Sequence, residues 1–261
     1  MIIARMALVG VGIALCGAVV GCGGGGSGSE STDFNPCTTL KIAGGTQCST
    51  APAAIALVAT DVSYCSGTYI TPRHVLTAAH CFPNRAGRTL IVSKGFQAEP
   101  LKIALHPGYT GSDISEEYDV AVVTLAKAAP VDPVPLLVSE EVRRGSSVAI
   151  YGFGIDEQGD DVVSRVKAGE APLKATTLEV AGVSDFSIDT ISDGSGDTCQ
   201  GDSGGALLVT PRNGRISIAA IVRAGPILCV PDLGLASDNT NIQVPSILEF
   251  ILDNAPQTEL N

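Results

Sequence analysis

Short apolar runs, broken by glycine, proline and small polar residues, dominate the chain from residue 55 onward. Ile55 to Ala59, Tyr64 to Ile70 and Val75 to Ala79 are rich in β-branched and aromatic residues, with Pro72 among the turn signals between them, so each reads as a strand. Asp119 leads directly into another apolar run, Val120 to Leu125, and Val148 to Gly154 and Ile216 to Val222 repeat the pattern. Pro130 to Leu137 is proline-spaced and Val138 to Gly145 is charged, as expected of a connection between two halves; Gly159 to Gly169 reads as an acidic loop. The period changes only near the end. After Pro245 and Ser246, the residues Ile247, Leu248, Phe250, Ile251 and Leu252 fall on one face of a helix, with Ser246 as the expected N-cap.

The first residues follow different rules. Arg5 precedes an apolar run from Ala7 to Val20 that is too short to span a bilayer, which is the layout of an export signal over residues 1–21. Val19-Val20-Gly21-Cys22 resembles a bacterial lipobox, which implies cleavage before Cys22 and lipidation of that cysteine; an ordinary signal cut nearby is the alternative. The Gly/Ser-rich stretch Gly23 to Thr32 is a flexible coil suited to holding a domain off a membrane surface. The expectation is an exported protein, anchored by lipid to a bacterial membrane in the cell envelope, or secreted.

Charge and cysteine content narrow the function further. A net charge of −11 with no basic stripe argues against nucleic acid as a partner, because phosphate binding draws on clustered Lys and Arg. Eight cysteines in an exported chain point to disulfides rather than metal sites, and no CxxC or HxxxH spacing is present to compete. Once Cys16 leaves with the signal and Cys22 is lipidated, six remain, and six allow 15 pairings.

The chemistry is concentrated in Asp197-Thr198-Cys199-Gln200-Gly201-Asp202-Ser203-Gly204-Gly205. A serine hydroxyl is a weak nucleophile and needs a neighbouring base and amide donors for the oxyanion that forms. A glycine-rich stretch can supply such amides, although taken alone it also reads as a surface turn. Two other strings carry the partners: Val75-Leu76-Thr77-Ala78-Ala79-His80-Cys81, and Tyr118-Asp119-Val120-Ala121-Val122-Val123-Thr124-Leu125. His74 and His106 lie at turns outside any such motif and read as structural, and Asp113 reads as solvated loop.

Together these strings resemble the trypsin/chymotrypsin family of serine proteases, in the family's chain order and over about Ile42 to Ala255. The resemblance implies an all-β fold of two six-stranded Greek-key β-barrels with a short C-terminal helix. It implies a protease domain at residues 42–255, a linker and activation segment at 22–41 and a tail at 256–261. It assigns Ser203 as nucleophile, His80 as general base, Asp119 as its orienting carboxylate, and the Gly201 and Ser203 amides as the oxyanion hole. Protein or peptide is the implied substrate, no cofactor or metal is implied, and a monomer is expected. Lys41-Ile42-Ala43-Gly44-Gly45 is similar to the family's activation site, which implies a cut after Lys41 and pairing of the new Ile42 amine with Asp202. The family's bridges imply Cys65–Cys81 and Cys199–Cys229, leaving Cys37 and Cys48. Asp197 stands where trypsin-like members pair with a substrate Arg or Lys, with Gly225 and Gly234 as the implied pocket walls. The sequence departs from the family at Arg223-Ala224-Gly225, where an SWG triplet is usual, so a protease with a non-basic preference is one alternative. A non-catalytic binding module of the same fold is the other.

Overall fold

A computed structural model describes residues 54–83, 87–93, 96–111, 116–154, 173–192, 196–225 and 236–261, with the backbone of 46–47. Cys22, Cys37, Lys41, Ile42, Cys48, Cys229, Gly234 and Asp113, and residues 1–41 as a whole, lie outside the described residues.

Two antiparallel β units make up the domain. The first holds β2 (Ile55–Thr60), β3 (Tyr64–Thr71), β4 (His74–Thr77), β5 (Thr89–Ser93), β6 (Phe96–Ala98), β7 (Pro100–Leu105) and β8 (Ala121–Leu125), in the order β6-β5-β2-β3-β4-β8-β7. The second holds β1 (Thr46–Gln47), β9 (Ser147–Gly152), β10 (Lys174–Val183), β11 (Ser187–Ser192), β12 (Ala206–Val209), β13 (Ser217–Ala224) and β14 (Ala236–Asn241). Its order is β1-β10-β11-β14-β13-β12-β9, and a further β9–β10 pairing closes six of these strands into a barrel. Closure removes the sheet edges that would otherwise expose unpaired backbone. The first unit is a half-barrel among the described pairings.

Burial explains why the apolar runs became strands. Val120, Ala121, Val122, Val123 and Leu125 are completely buried, so β8 packs on both faces and its continuous apolar text is required. The strand expected at Val75 to Ala79 ends at Thr77, and Ala79–Cys81 form a 3-10 turn that lifts His80 out of the sheet. The terminal helix α1 spans Pro245–Asn254. It starts one residue before the expected cap: Pro245 takes the first turn, where a missing N–H costs nothing, and Val244 is the N-cap without a side-chain bond. Ile247 and Ile251, four apart, anchor it in the core. The last residues are held as well, because Asn261 exchanges backbone hydrogen bonds with Leu136 and Val138.

Candidate active site

The histidine and the carboxylate are locked together by two bonds. His80 Nδ1 lies 2.6 Å from Asp119 Oδ2, and the His80 backbone N–H donates to Asp119 Oδ1 at 2.8 Å. A carboxylate accepts only, so Nδ1 carries the proton and Nε2 is left as a base. Asp119 is 1% exposed, whereas the His80 side chain is 36% exposed, so one end of the pair is dry and the other opens to solvent. Asp119 is delivered by the 3-10 turn Glu116–Tyr118, and the Tyr118 ring stacks on His106 at 4.5 Å. His106 also meets Phe250 and lies 3.3 Å from the Ser246 carbonyl through Nε2, and His74 Nδ1 meets Thr71 Oγ1 at 2.7 Å. Burial lowers the pKa of both histidines, and neither touches the His80–Asp119 pair.

Ser203 is held against the first β unit by its backbone. Its carbonyl accepts from the Ser66 N–H at 2.8 Å and lies 4.0 Å from Cys81 Sγ. Cys65 and Cys81 form the expected disulfide, and both sulfurs lie within 4.8 Å of a His80 ring nitrogen. Bonded to each other, those sulfurs offer no thiolate to a metal. A Cβ on Gly204 would stand 2.1 Å from Thr77 Oγ1 and 2.9 Å from Ala78 N, so the loop after the serine packs directly on the histidine strand. Gly204 also has φ +79°, a left-handed backbone that glycine adopts without penalty.

The amides around Ser203 divide into two sets. Those of Asp202, Gly204 and Gly205 donate to the carbonyls of Cys199, Val222 and Asp202. Those of Gly201 and Ser203 meet no protein acceptor among the described residues, and Gly201 is held at φ +94° against the Tyr64 ring. Two unspent donors on either side of a buried aspartate suit a developing oxyanion.

Comparison with known proteins agrees with this geometry. The family model described as Trypsin matches residues 42–228. The chain belongs to the trypsin family. It is 28% identical over 177 residues to a trypsin of Saccharopolyspora erythraea, covering 60% of this chain and 76% of that protein. It is 30% identical over 205 residues to kallikrein 1-related peptidase b22 of Mus musculus, covering 67% and 78%. Coagulation factor XII of Bos taurus is 31% identical over 187 residues, 59% of this chain and 30% of that protein. This trypsin-family chain is a serine-type endopeptidase acting on protein or peptide substrates. Among the described residues no helix is long and apolar enough to cross a membrane.

Asp197 lies six residues before Ser203, in the same loop. Asp197 is 1% exposed; its Oδ1 accepts from the Thr198 N–H at 2.7 Å and from Ser237 Oγ at 3.0 Å, while Oδ2 has no partner among the described residues. Burial raises its pKa, and the two hydrogen bonds oppose that shift. Gly225 faces Thr198, whose Oγ1 would lie 2.2 Å from a Cβ there. Ser237 was not legible as a site residue, because a serine in a polar strand carries no signal of its own. Arg223, the departure from the family triplet, ion-pairs with Asp238 on the adjacent strand β14. Its charge is met there by the Asp238 carboxylate.

Ser66 is the second residue that sequence reasoning passed over. Fully buried, it donates through Oγ to the Gly201 carbonyl at 2.8 Å and accepts from the Phe153 N–H at 2.9 Å, so one side chain ties the two β units together beneath the site. Nothing set it apart in the sequence, since β3 also carries Thr68 and Thr71. Cys199 is also disulfide-bonded.

Proposed function

We propose that the enzyme is an exported protease that cleaves after Arg or Lys, with Ser203 as nucleophile, His80 as general base, Asp119 as its orienting partner and the Gly201 and Ser203 amides as oxyanion donors. The observation that carries the basic preference is Asp197 Oδ2, a buried carboxylate oxygen with no protein partner among the described residues. An incoming guanidinium or ammonium would satisfy it, whereas an apolar side chain would leave it desolvated and unpaired. The Arg223–Asp238 pair supports this reading, since a neutralised arginine does not repel a cationic side chain. Asp197→Asn is expected to lower kcat/KM for Arg peptides at least about 100-fold and to spare Phe and Leu peptides. A panel of chromogenic peptides that ranks Phe or Leu first in the wild type would overturn it.

The remaining parts of the reading concern how the enzyme is delivered and switched on. Residues 1–21 act as a lipoprotein signal, Cys22 carries the lipid, residues 22–41 form the tether and residues 42–255 the protease, a monomer. Cleavage after Lys41 frees an Ile42 amine to pair with Asp202. This is supported by β1, which begins four residues after Ile42 and pairs with Lys174 and Ala175; four residues reach at most about 14 Å. With Cys37 bridged to Cys48, across the cut, the protease stays on the membrane. Active protein is expected to yield an N-terminal sequence starting at Ile42 and to leave the membrane fraction only with reductant. Release without reductant, or a different start, would refute the tether or the cut.

A further inference from the structure

Strand β3 grips the loop that carries Ser203 by its carbonyls. Tyr64 and Ser66 stand two apart on that strand and so share a face. The Ser66 N–H donates to the Ser203 carbonyl at 2.8 Å and its Oγ to the Gly201 carbonyl at 2.8 Å, while the Tyr64 hydroxyl donates to the Gln200 carbonyl at 3.4 Å. The Tyr64 ring also closes over Gly201: a Cβ there would stand 2.1 Å from Cε2 and 2.9 Å from Cζ, the carbon that bears the hydroxyl. Hydroxyl and ring thus meet the two ends of one peptide unit, Gln200–Gly201.

A trans peptide is planar, with its C=O and N–H pointing in opposite directions, so holding the carbonyl aims the amide. For Ser203 the hold is local: the Asp202 carbonyl, at the back of the same peptide unit, accepts from the Gly205 N–H at 2.8 Å. For Gly201 the hold comes from 136 residues away, since the Gln200 carbonyl is met by the Tyr64 hydroxyl and by no other donor among the described residues. Gly201 is also where a peptide unit turns over most easily, because glycine has no Cβ and already sits at φ +94°. Turned over, the unit would present a carbonyl oxygen in place of its N–H, and that oxygen repels the charge of an oxyanion.

We propose that Tyr64 is a positioning residue for peptide cleavage, whose hydroxyl fixes the Gln200–Gly201 peptide so that the Gly201 N–H faces the developing oxyanion. The tyrosine acts only through that peptide unit. Ser66 cannot replace it, because the Gly201 carbonyl belongs to the next unit, whose Asp202 N–H is already spent on the Cys199 carbonyl. The inference rests on the reading of Ser203 as nucleophile and of the Gly201 and Ser203 amides as oxyanion donors.

The test is Tyr64→Phe in the active enzyme, which keeps the ring over Gly201 and removes only the hydroxyl. Two short peptide inhibitors, ending in whichever residue the chromogenic panel ranks first, read the result. One ends in an aldehyde: the Ser203 oxygen bonds to its carbon, the serine proton passes to His80, and the aldehyde oxygen takes up the electron pair of the broken π bond as an oxyanion. The other is the matching alcohol, which forms no adduct. In Tyr64→Phe, kcat on a peptide anilide and affinity for the aldehyde are expected to fall together by about tenfold, the scale of losing one neutral hydrogen bond and less than the roughly 100-fold or more of losing an oxyanion donor outright. KM, affinity for the alcohol and the unfolding midpoint are expected to stay near wild type, a split that a merely structural tyrosine would not produce. Two results overturn the proposal: a Tyr64→Phe enzyme with wild-type kcat and aldehyde affinity, or one in which aldehyde and alcohol affinities fall by the same factor. A wild-type enzyme that binds the aldehyde no more tightly than the alcohol marks failure of the nucleophile and oxyanion reading instead, and the two failures are thereby distinguished.

Discussion

Replacing Ser203 by alanine is expected to lower kcat about 10^6-fold, the scale of losing a triad nucleophile. The reason lies in how little else at the site could attack a carbonyl. His80 is held through Nδ1 by Asp119, and the sulfurs beside it are joined in the Cys65–Cys81 bridge. What survives is binding and the oxyanion amides, which together leave a rate roughly 10^3- to 10^4-fold above water. KM for a peptide anilide should change little, since the hydroxyl contributes nothing to the Asp197 pocket. Steady-state kinetics on protein that no longer takes up a fluorophosphonate would check this. A loss smaller than about 100-fold would mean that another residue is the nucleophile.

Asp119→Asn is expected to lower kcat on the order of 10^4-fold, the loss found when a triad aspartate is made neutral. The carboxylate accepts two N–H donors from His80, at 2.6 and 2.8 Å, and an asparagine has one accepting oxygen. Its NH2 group would face one of those donors. The imidazole relieves the clash by moving its proton to Nε2, and it then cannot take the proton of Ser203. The backbone should hardly shift, because the Tyr118–Val120 segment is fixed by the His106 stack, the His106 N–H to Val120 carbonyl bond at 3.0 Å and the burial of Val120. Unfolding midpoints near wild type, with kcat reduced and KM nearly constant, are the expected pattern. A kcat within tenfold of wild type would remove Asp119 from the role of orienting group.

How much of this was legible in the chain follows from range. Strands β2, β3 and β8 could be read because their contacts are apolar and their text repeats over a few residues. Strand β14 could not. Its text, Ala-Ser-Asp-Asn-Thr-Asn, shows no apolar period, yet Ser237, Asn239 and Thr240 are fully buried. Partners from distant strands take up their donors: Asn239 Nδ2 donates to the Ile188 carbonyl at 2.7 Å and to Thr190 Oγ1 at 3.1 Å. Such partners lie about fifty positions away in the chain, out of reach of any local pattern.

The proposed chemistry of the site was likewise read locally. The strings around His80, Asp119 and Ser203 carry the groups proposed to react, because a nucleophile loop needs its glycines and its aspartate within a few bonds of the serine, and the family resemblance adds the Cys65–Cys81 bridge that the structure contains. The tertiary structure alone decided which groups serve those residues. Ser66 is pressed beneath Gly201 and Phe153, Ser237 bonds Asp197, Asp238 takes the charge of Arg223, and Lys174 meets Asp202 across Gly154. Each of these depends on closing a barrel or docking one β unit on another. Burial makes an unmatched polar group costly, and only the folded chain determines which groups are buried together.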